Sequence, residues 1–322
     1  MDVVAAHQLI VRLRDNICRA FVGRVETVEL LIAALLAEGH VLLEDVPGIG
    51  KTTLAKALAK SLGCSFQRIQ FTPDLLPSDV TGLNYFNQKI GDFQFRAGPV
   101  MSNIVLADEI NRATPRTQSS LLEAMGERQV TVDGVTRPLP EPFMVLATQN
   151  PIEREGTYPL PEAQLDRFLL KLDLGYPERE REMEIVRRFG SADPLSDLAP
   201  ALSAEQVVGL QVAARRVRVT DTVLGYLVDV VRGTRAHASA RVGVSPRGTL
   251  ALYRAAQSYA LMQGRDFVVP DDVKRVAVPV LAHRVVMNLR NRLTSGGPET
   301  LIREVIDATP VPVEELQATG AR

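Results

Sequence analysis

The residues best placed to do chemistry form the segment Asp45-Val46-Pro47-Gly48-Ile49-Gly50-Lys51-Thr52. It follows a short apolar run and opens a helical pattern, the setting in which backbone amides at a helix N-terminus wrap a phosphate. Gly48 and Gly50 let the backbone approach the ligand, Lys51 reaches the β- and γ-phosphates, and the Thr52 hydroxyl is a ligand for Mg²⁺. The segment therefore predicts a nucleotide phosphate site.

The segment departs from the pattern GxxxxGK[ST] at one position, because Asp45 stands where the first glycine would be. That glycine shapes the loop entrance without touching phosphate, so the predicted chemistry is unchanged. A glycine-rich turn with an ordinary surface lysine is the alternative, and the flanking strand and helix argue against it. The expected nucleotide contacts are Asp45, Val46, Pro47, Gly48, Ile49, Gly50, Lys51, Thr52, Thr53 and, on a later strand, Asp108.

Two acids, Asp108 and Glu109, end the apolar run at 104–107. Asp108 can hold Mg²⁺ through its water shell, and Glu109 can orient and deprotonate the attacking water. Alone, such acids belong to a solvated loop, but beside a phosphate loop they predict ATP hydrolysis. The run at 143–147 leads to Asn150, which fits the task of holding the lytic water; an Asn opening a turn before proline is the alternative.

The elements that must position these residues alternate between helical patterns and short apolar runs, which is typical of an open α/β sheet. Strands are predicted at 40–43, 65–71, 104–107, 143–147 and 168–174, with helices at 25–37 and 52–62. The segment 129–142, with its Asp133-Gly134 pair, predicts a β-hairpin inserted ahead of a sheet strand.

The second half has a different character. A charged helix is predicted at 178–189, a Ser/Asp/Pro-rich linker at about 190–200, and further helices at 204–215, 221–237, 247–263 and 270–284. We therefore expect an α/β nucleotide-binding domain over residues 1–176 and a helical domain over 177–322.

Composition limits the partners. The chain has 322 residues, of which 46% are hydrophobic and 23% are charged, enough for two ordinary domains. Lys and Arg (37) balance Asp and Glu (38), so no bulk charge favours nucleic acid or an anionic membrane.

The longest apolar stretch, 30–37, is too short to span a bilayer, and residues 1–10 lack a secretory pattern. Cys18 and Cys64 lack metal-ligand spacing, and we expect reduced thiols in a cytoplasmic protein.

Longer segments of the chain, from about Phe21 to His283, resemble the MoxR branch of the AAA+ ATPases. The matching segments are EDVPGIGKTTLAKALA, ADEINRATPRTQSSLLEAMGE, ATQNPIEREGTYPLPEAQLDRF and SPRGTLALYRAA. The resemblance implies a parallel five-stranded sheet of order 5-1-4-3-2 with helices on both faces, followed by a small all-α lid domain. It also implies a ring, typically a hexamer, with ATP and Mg²⁺ between neighbouring subunits.

The resemblance also implies functional roles for several arginine residues. Arg167, ahead of the fifth strand, matches the arginine finger that would reach a neighbour's γ-phosphate in the transition state. Arg247, at the start of a lid helix, matches the sensor 2 residue that would contact the γ-phosphate from the lid. Arg112 and Arg116 are rival trans-acting residues. Residues 21–24 resemble the adenine-side segment of AAA+ proteins, with a helix N-terminal turn as the alternative.

Two inserts are implied as well, at 77–98 and 129–142, and both would project toward a central pore or a partner surface. Aromatic residues of the first insert could contact a client protein. For Phe93 and Phe95 we expect packing against the ring instead.

The expected function is a chaperone-like remodeller or maturation factor that acts on client proteins together with a separate von Willebrand factor A (VWA) domain protein. A nucleic-acid motor related to helicases or magnesium chelatase is the alternative, although no helix-turn-helix or zinc motif supports it. A sigma-factor activator would need a GAFTGA-like loop, which the sequence lacks. An ATP-gated scaffold without turnover is a further alternative.

Overall fold

A parallel sheet lies at the centre of the computed structural model, which describes residues 1–46, 48–150, 156–190, 193–288 and 296–312. Over these residues the strands are β1 (Val41–Glu44), β2 (Phe66–Gln70), β3 (Gly82–Asn87), β4 (Asp92–Ala97), β5 (Ile104–Asp108), β6 (Gln129–Val132), β7 (Val135–Pro138), β8 (Met144–Gln149), β9 (Leu170–Leu172), β10 (Ala240–Val242) and β11 (Val286–Met287). The helices are α1 (Val3–Ala20), α2 (Val25–Leu36), α3 (Lys51–Ser61), α4 (Pro77–Thr81), α5 (Pro115–Glu127), α6 (Glu162–Leu165), α7 (Arg179–Phe189), α8 (Ala204–Arg215), α9 (Asp221–Ala236), α10 (Pro246–Met262), α11 (Pro270–Leu281) and α12 (Pro298–Ala308).

The sheet has the order β2-β5-β8-β1-β9, and each neighbouring pair is parallel. Numbered by their place along the chain, its strands read 5-1-4-3-2 from the β9 edge, which confirms the predicted order. β5 and β8 lie inside the sheet and are buried nearly throughout, as strands covered on both faces must be. Since the carboxyl ends of β1, β5 and β8 share one edge, the residues that follow these strands lie close together.

Hydrophobic cores cover the two faces of the sheet. Leu43 and Leu106 point into a core that also contains the buried faces of α1, α2 and α3 and of helices α8 to α12. Leu42 and Val105 point to the opposite face, where α5 and the loops around it complete a second core. The alternation is the ordinary period of two along a strand.

Most predicted helices agree with the structure within a residue or two, but α1 was not predicted. Its buried residues, Ala6, Ile10, Leu13, Ile17 and Ala20, follow a three-to-four residue spacing that lies against α3 and α10. α12 was also missed. Over the described residues, no helix is both long and apolar enough to cross a membrane.

Both inserts contain antiparallel hairpins, β3–β4 and β6–β7, the second with the expected Asp133-Gly134 turn. The hairpins touch: Asn84 Nδ2 donates to Asp133 Oδ2 (2.8 Å), and the Arg137 guanidinium lies 3.9 Å from the Phe95 ring centroid. Phe93 stands two residues nearer the hairpin tip than Phe95, where it contacts Phe86 and is 67% exposed in the single subunit; its packing against a ring stays a prediction.

Candidate active site

The phosphate loop lies between β1 and α3, as its sequence predicted. Gly48 (φ 86°) and Gly50 (φ 97°) both adopt left-handed backbone conformations that other residues rarely tolerate. Gly50 caps α3, whose first turn contains Lys51, Thr52 and Thr53, so the amides of that turn face the loop. This is a helix N-terminal anion site. Pro47 lies outside the described residues.

Lys51 is folded back on its own loop, where its Nζ donates to the Asp45 carbonyl oxygen at 2.7 Å. Burial lowers the pKa of its ammonium group below the ordinary value, while the nearby carboxylates of Asp108, Asp45 and Glu109 oppose that shift. The lysine is thus close to both predicted acidic residues, and the phosphate loop and the acids form one site.

Asp45 has a structural task that its sequence position did not indicate. Its carboxylate accepts hydrogen bonds from three backbone amides: Val46 N (3.0 Å), Leu174 N (2.7 Å) and Gly175 N (2.9 Å). The last two follow β9, so Asp45 joins the entrance of the phosphate loop to the far end of the sheet. Burial and the adjoining Asp45 carboxyl raise the pKa of Asp173, which lies at the same junction.

The two predicted acids lie at the carboxyl end of β5, and Thr148 of β8 holds them together. Thr148 Oγ1 donates to Asp108 Oδ1 at 2.6 Å and accepts from the Glu109 amide at 2.8 Å. Glu109 has a left-handed backbone (φ 56°), uncommon for a residue other than glycine, and it begins a short 3₁₀ turn. Asn150, directly after β8, is buried at the same edge of the sheet.

The edge strand β2 contributes two side chains that sequence reasoning missed. Arg68 binds Asp108 Oδ2 through Nη2 (2.5 Å) and Nε (3.1 Å), and Gln70 Nε2 donates to Glu109 Oε2 at 2.8 Å. Glu109 also pairs with Arg112 at 3.3 Å. Arg68 and Gln70 are two residues apart on a strand beside β5, so their shared face was a signal that could have found them.

These residues fit a magnesium ion. The Thr52 hydroxyl and the Asp108 carboxylate are the hard oxygen donors that Mg²⁺ prefers, and Asp108 is oriented by Thr148 and Arg68. Mg²⁺ keeps several of its waters, so two protein donors beside a triphosphate suffice.

A cavity of about 790 Å³ opens beside the loop, a suitable size for a nucleotide. Its walls are residues 21–24 between α1 and α2, the glycines of the loop, residues 174–177 after β9, and one side of α7. Apolar side chains from these parts, Phe21, Ile49, Ile185 and Phe189, offer surface for a base. The adenine-side expectation for residues 21–24 agrees with this placement.

The predicted arginines lie elsewhere. Arg167 follows α6, and its half-buried side chain lies against α5, where Nη1 donates to the Leu122 carbonyl oxygen at 2.7 Å; Arg247 is exposed in the first turn of α10. Neither lines the cavity beside the loop. Arg112 pairs with Glu109 in its own subunit, and Arg116 is exposed near the start of α5.

The chain is similar to known proteins over most of its length. A family model of the ATPase family associated with various cellular activities (AAA) matches residues 40–170, and a model of the AAA lid domain matches residues 232–305. The chain is 51% identical to the uncharacterised protein YeaC of Bacillus subtilis, over 96% of both proteins. It is 44% identical to the chaperone MoxR1 of Mycobacterium tuberculosis, over 91% of this chain and 80% of that protein.

A more distant relative is the protein MoxR of Methylorubrum extorquens, 32% identical over 94% of both proteins. The crystal structure of an ATPase candidate from Cytophaga hutchinsonii superposes with a TM-score of 0.90 at 38% identity, and the match covers 97% of both chains.

Proposed function

Since this chain belongs to the MoxR family of AAA+ ATPases, we propose that it uses Mg-dependent ATP hydrolysis to remodel or mature other proteins. The observation that carries the proposal is the convergence of Lys51, Asp108 and Glu109 at one edge of the sheet. A binding-only site would not require a second acid beside the one that faces the metal.

The chemistry follows from the side chains. The amides of the phosphate loop and the Lys51 ammonium bind the phosphates, for which Lys51 leaves the Asp45 carbonyl. Glu109 takes the proton of the attacking water, and Asn150 orients that water. Thr52 and Asp108 would hold Mg²⁺, which would supply positive charge to neutralise the charge that develops on the phosphate oxygens.

Hydrolysis in this proposal needs a neighbouring subunit. Arg167, which donates to the Leu122 carbonyl oxygen in its own subunit, would serve the nucleotide of a neighbour in a ring such as a hexamer, and Arg247 would contact the γ-phosphate from the lid. Because Arg112 pairs with Glu109 at 3.3 Å, we favour Arg167 over Arg112 as the trans-acting residue.

The partner in this proposal is a VWA-domain protein, and the client is a protein rather than a nucleic acid. The relative MoxR1 of Mycobacterium tuberculosis is named a chaperone, which supports a protein client. Lys plus Arg (37) and Asp plus Glu (38) are balanced, which gives no reason for DNA binding. A cytoplasmic location belongs to the same proposal, and the free thiols of Cys18 and Cys64 are consistent with it.

The test is ATP turnover with added partners. A VWA-domain protein is expected to raise turnover, whereas single- or double-stranded DNA is not; the reverse result would favour a nucleic-acid motor. Glu109→Gln should lower turnover by about 10²-fold or more and keep ATP binding. This variant should also retain partner and client on co-purification. A wild-type protein with no turnover even when assembled would indicate an ATP-gated scaffold.

A further inference from the structure

Arg284 is a charged side chain buried in the helical region, away from the nucleotide cavity. It closes the 3₁₀ turn that follows α11, and its side chain is only 2% exposed. A guanidinium group is costly to bury unless its charge and its hydrogen-bond donors are satisfied. The groups that satisfy it therefore show what the burial serves.

Most of those groups flank Arg167, while two others, the Val280 carbonyl oxygen and His283 Nε2, lie close to Arg284 along the chain. Arg284 Nε donates to Asp166 Oδ1 at 2.7 Å, and its Nη2 donates to the Phe168 carbonyl oxygen, also at 2.7 Å. Nη1 donates to the Leu169 carbonyl oxygen at 3.2 Å. The guanidinium thus fixes the residue before Arg167 and the two residues after it.

The same junction includes the start of α10. Ser245 Oγ, the cap of α10, donates to Asp166 Oδ2 at 3.2 Å, so both Asp166 oxygens are bound by residues of the helical region. Gly248 in the first turn of α10 makes room for the arginine, because a Cβ there would lie 2.9 Å from Arg284 Cδ. Any shift of α10 or α11 relative to the sheet must therefore move or break the Asp166 contacts.

We propose that Arg284 is a positioning residue that sets the reach of Arg167, so that the placement of the helical region controls hydrolysis in the neighbouring subunit. This inference rests on the proposed role of Arg167 in trans. Through its bonds to Asp166 and Phe168, Arg284 holds the backbone on both sides of Arg167 to the helical region. Its loss leaves the nucleotide cavity of its own subunit intact.

Mixing experiments test this directly. Arg284→Lys keeps the positive charge but loses the planar guanidinium group, whose N–H donors bind several acceptors at once. Alone, it should bind ATP normally and turn over at least about tenfold more slowly, since an arginine finger contributes about 10³–10⁵ in rate. Mixed in equal amounts with Glu109→Gln, activity should return toward about one quarter of wild type, because about one interface in four then joins an intact site to an intact Arg167.

Two controls make the outcome decisive. Arg167→Ala mixed with Glu109→Gln must also recover activity; if it does not, the trans role of Arg167 fails. If that pair recovers and the Arg284→Lys mixture does not, the positioning role of Arg284 is overturned. Arg265→Lys is the matched control, because Arg265 makes a comparable two-bond pair with Asp272 (2.7 and 2.5 Å) away from Arg167 and should leave turnover unchanged.

A folding failure of Arg284→Lys would be visible in its thermal unfolding, and Ser245→Ala then takes its place. That variant removes the hydroxyl contact to Asp166 and, with it, the cap of α10 that accepts from the Gly248 amide at 3.4 Å. It should lower turnover less, roughly two- to fivefold, as expected for one hydrogen bond of about 0.5–1 kcal/mol. When Ser245→Ala subunits are mixed with Glu109→Gln subunits, turnover should exceed the value calculated for contacts between two Ser245→Ala subunits alone. Turnover of Ser245→Ala equal to that of wild type, or no gain on mixing, contradicts the proposal.

Discussion

Asp45 occupies the position where the phosphate-loop pattern has its first glycine, and the structure gives it three backbone amides to bind. The chemistry of Lys51, Asp108 and Glu109 was predictable because each stands in a known relation to a strand end. The partners of Asp45 were not, since Leu174 lies 129 residues away along the chain. Such a contact depends on the order of the strands, which local patterns do not specify.

Replacing Asp45 with glycine completes the standard pattern, yet we expect it to weaken the site. The Leu174 amide would lose its acceptor, and an unsatisfied buried amide costs about 1–3 kcal/mol, whereas the Gly175 amide would keep Asp173 Oδ1 at 2.7 Å. Nucleotide affinity should fall by about tenfold or more, measured by calorimetric titration with ADP. Asp45→Asn, which keeps one acceptor oxygen, should lose less, and Asp173→Asn is the control at the same junction. Tighter binding by Asp45→Gly would contradict this.

His40 leads to a prediction about pH. Its Nδ1 accepts from the Val145 amide at 3.0 Å, so the proton lies on Nε2, which donates to the Met125 carbonyl oxygen at 3.1 Å. Burial lowers its pKa from 6.5 to about 4. The unfolded chain therefore binds more protons than the folded one between these values, and stability must fall as the pH drops through that window.

The loss should be on the order of 3 kcal/mol, from the size of this pKa shift. Urea unfolding of the wild type and of His40→Gln across the window isolates the contribution, because the carboxylates titrate alike in both proteins. The variant should be less stable at neutral pH but lose less stability on acidification. Parallel pH profiles would show that His40 is not responsible.

At the scale of elements, the inner strands were predictable as continuous apolar runs, and most helices were predictable because each presents one periodic apolar face. α1 was missed although its buried residues follow a regular helical spacing that is visible in the sequence. The roles of Arg68 and Gln70 were missed for another reason: β2 had to be placed beside β5 before their shared face had a meaning. The contact of the Arg167 side chain with α5 likewise depends on tertiary structure.

Gly126 of α5 lies beside the Arg167 side chain. A Cβ at Gly126 would lie 2.4 Å from Arg167 Nη1, the far end of a flexible side chain. We expect Gly126→Ala to displace Arg167 from the Leu122 carbonyl and to stabilise α5 by up to about 1 kcal/mol. When Arg167 is released from the Leu122 carbonyl oxygen in a larger fraction of subunits, turnover should rise at subunit concentrations where only part of the protein is assembled.

The control is Gly225→Ala in α9, where an added Cβ meets nothing within 4 Å. It should give a similar gain in stability, measured by urea unfolding, with unchanged turnover. In a Gly126→Ala, Arg167→Ala double variant the gain in turnover should vanish. Equal turnover in Gly126→Ala and wild type would show that the docked position of Arg167 does not limit hydrolysis.

At the scale of the whole molecule, the sequence predicts two domains, 1–176 and 177–322, whereas the structure joins them by one hydrophobic core. Leu31 and Leu43 from the first region and Leu252 from the second are all buried in that core. The change from α/β to helical patterns is visible in the sequence, but the packing of α10 on α1 and α2 is not. We propose that residue 176 marks the change from α/β to helical topology, and that the regions on its two sides unfold together as one cooperative unit.

Calorimetry tests this proposal. Without nucleotide, the subunit should unfold in a single transition whose calorimetric and van't Hoff enthalpies agree. Leu252→Ala creates a cavity in the shared core at a cost of about 2–5 kcal/mol. Because the core is shared, hydrogen exchange should report the same destabilisation in β1 as in α9. If α9 loses protection while β1 and ADP binding are unchanged, the helical region unfolds independently, and the boundary separates two thermodynamic domains.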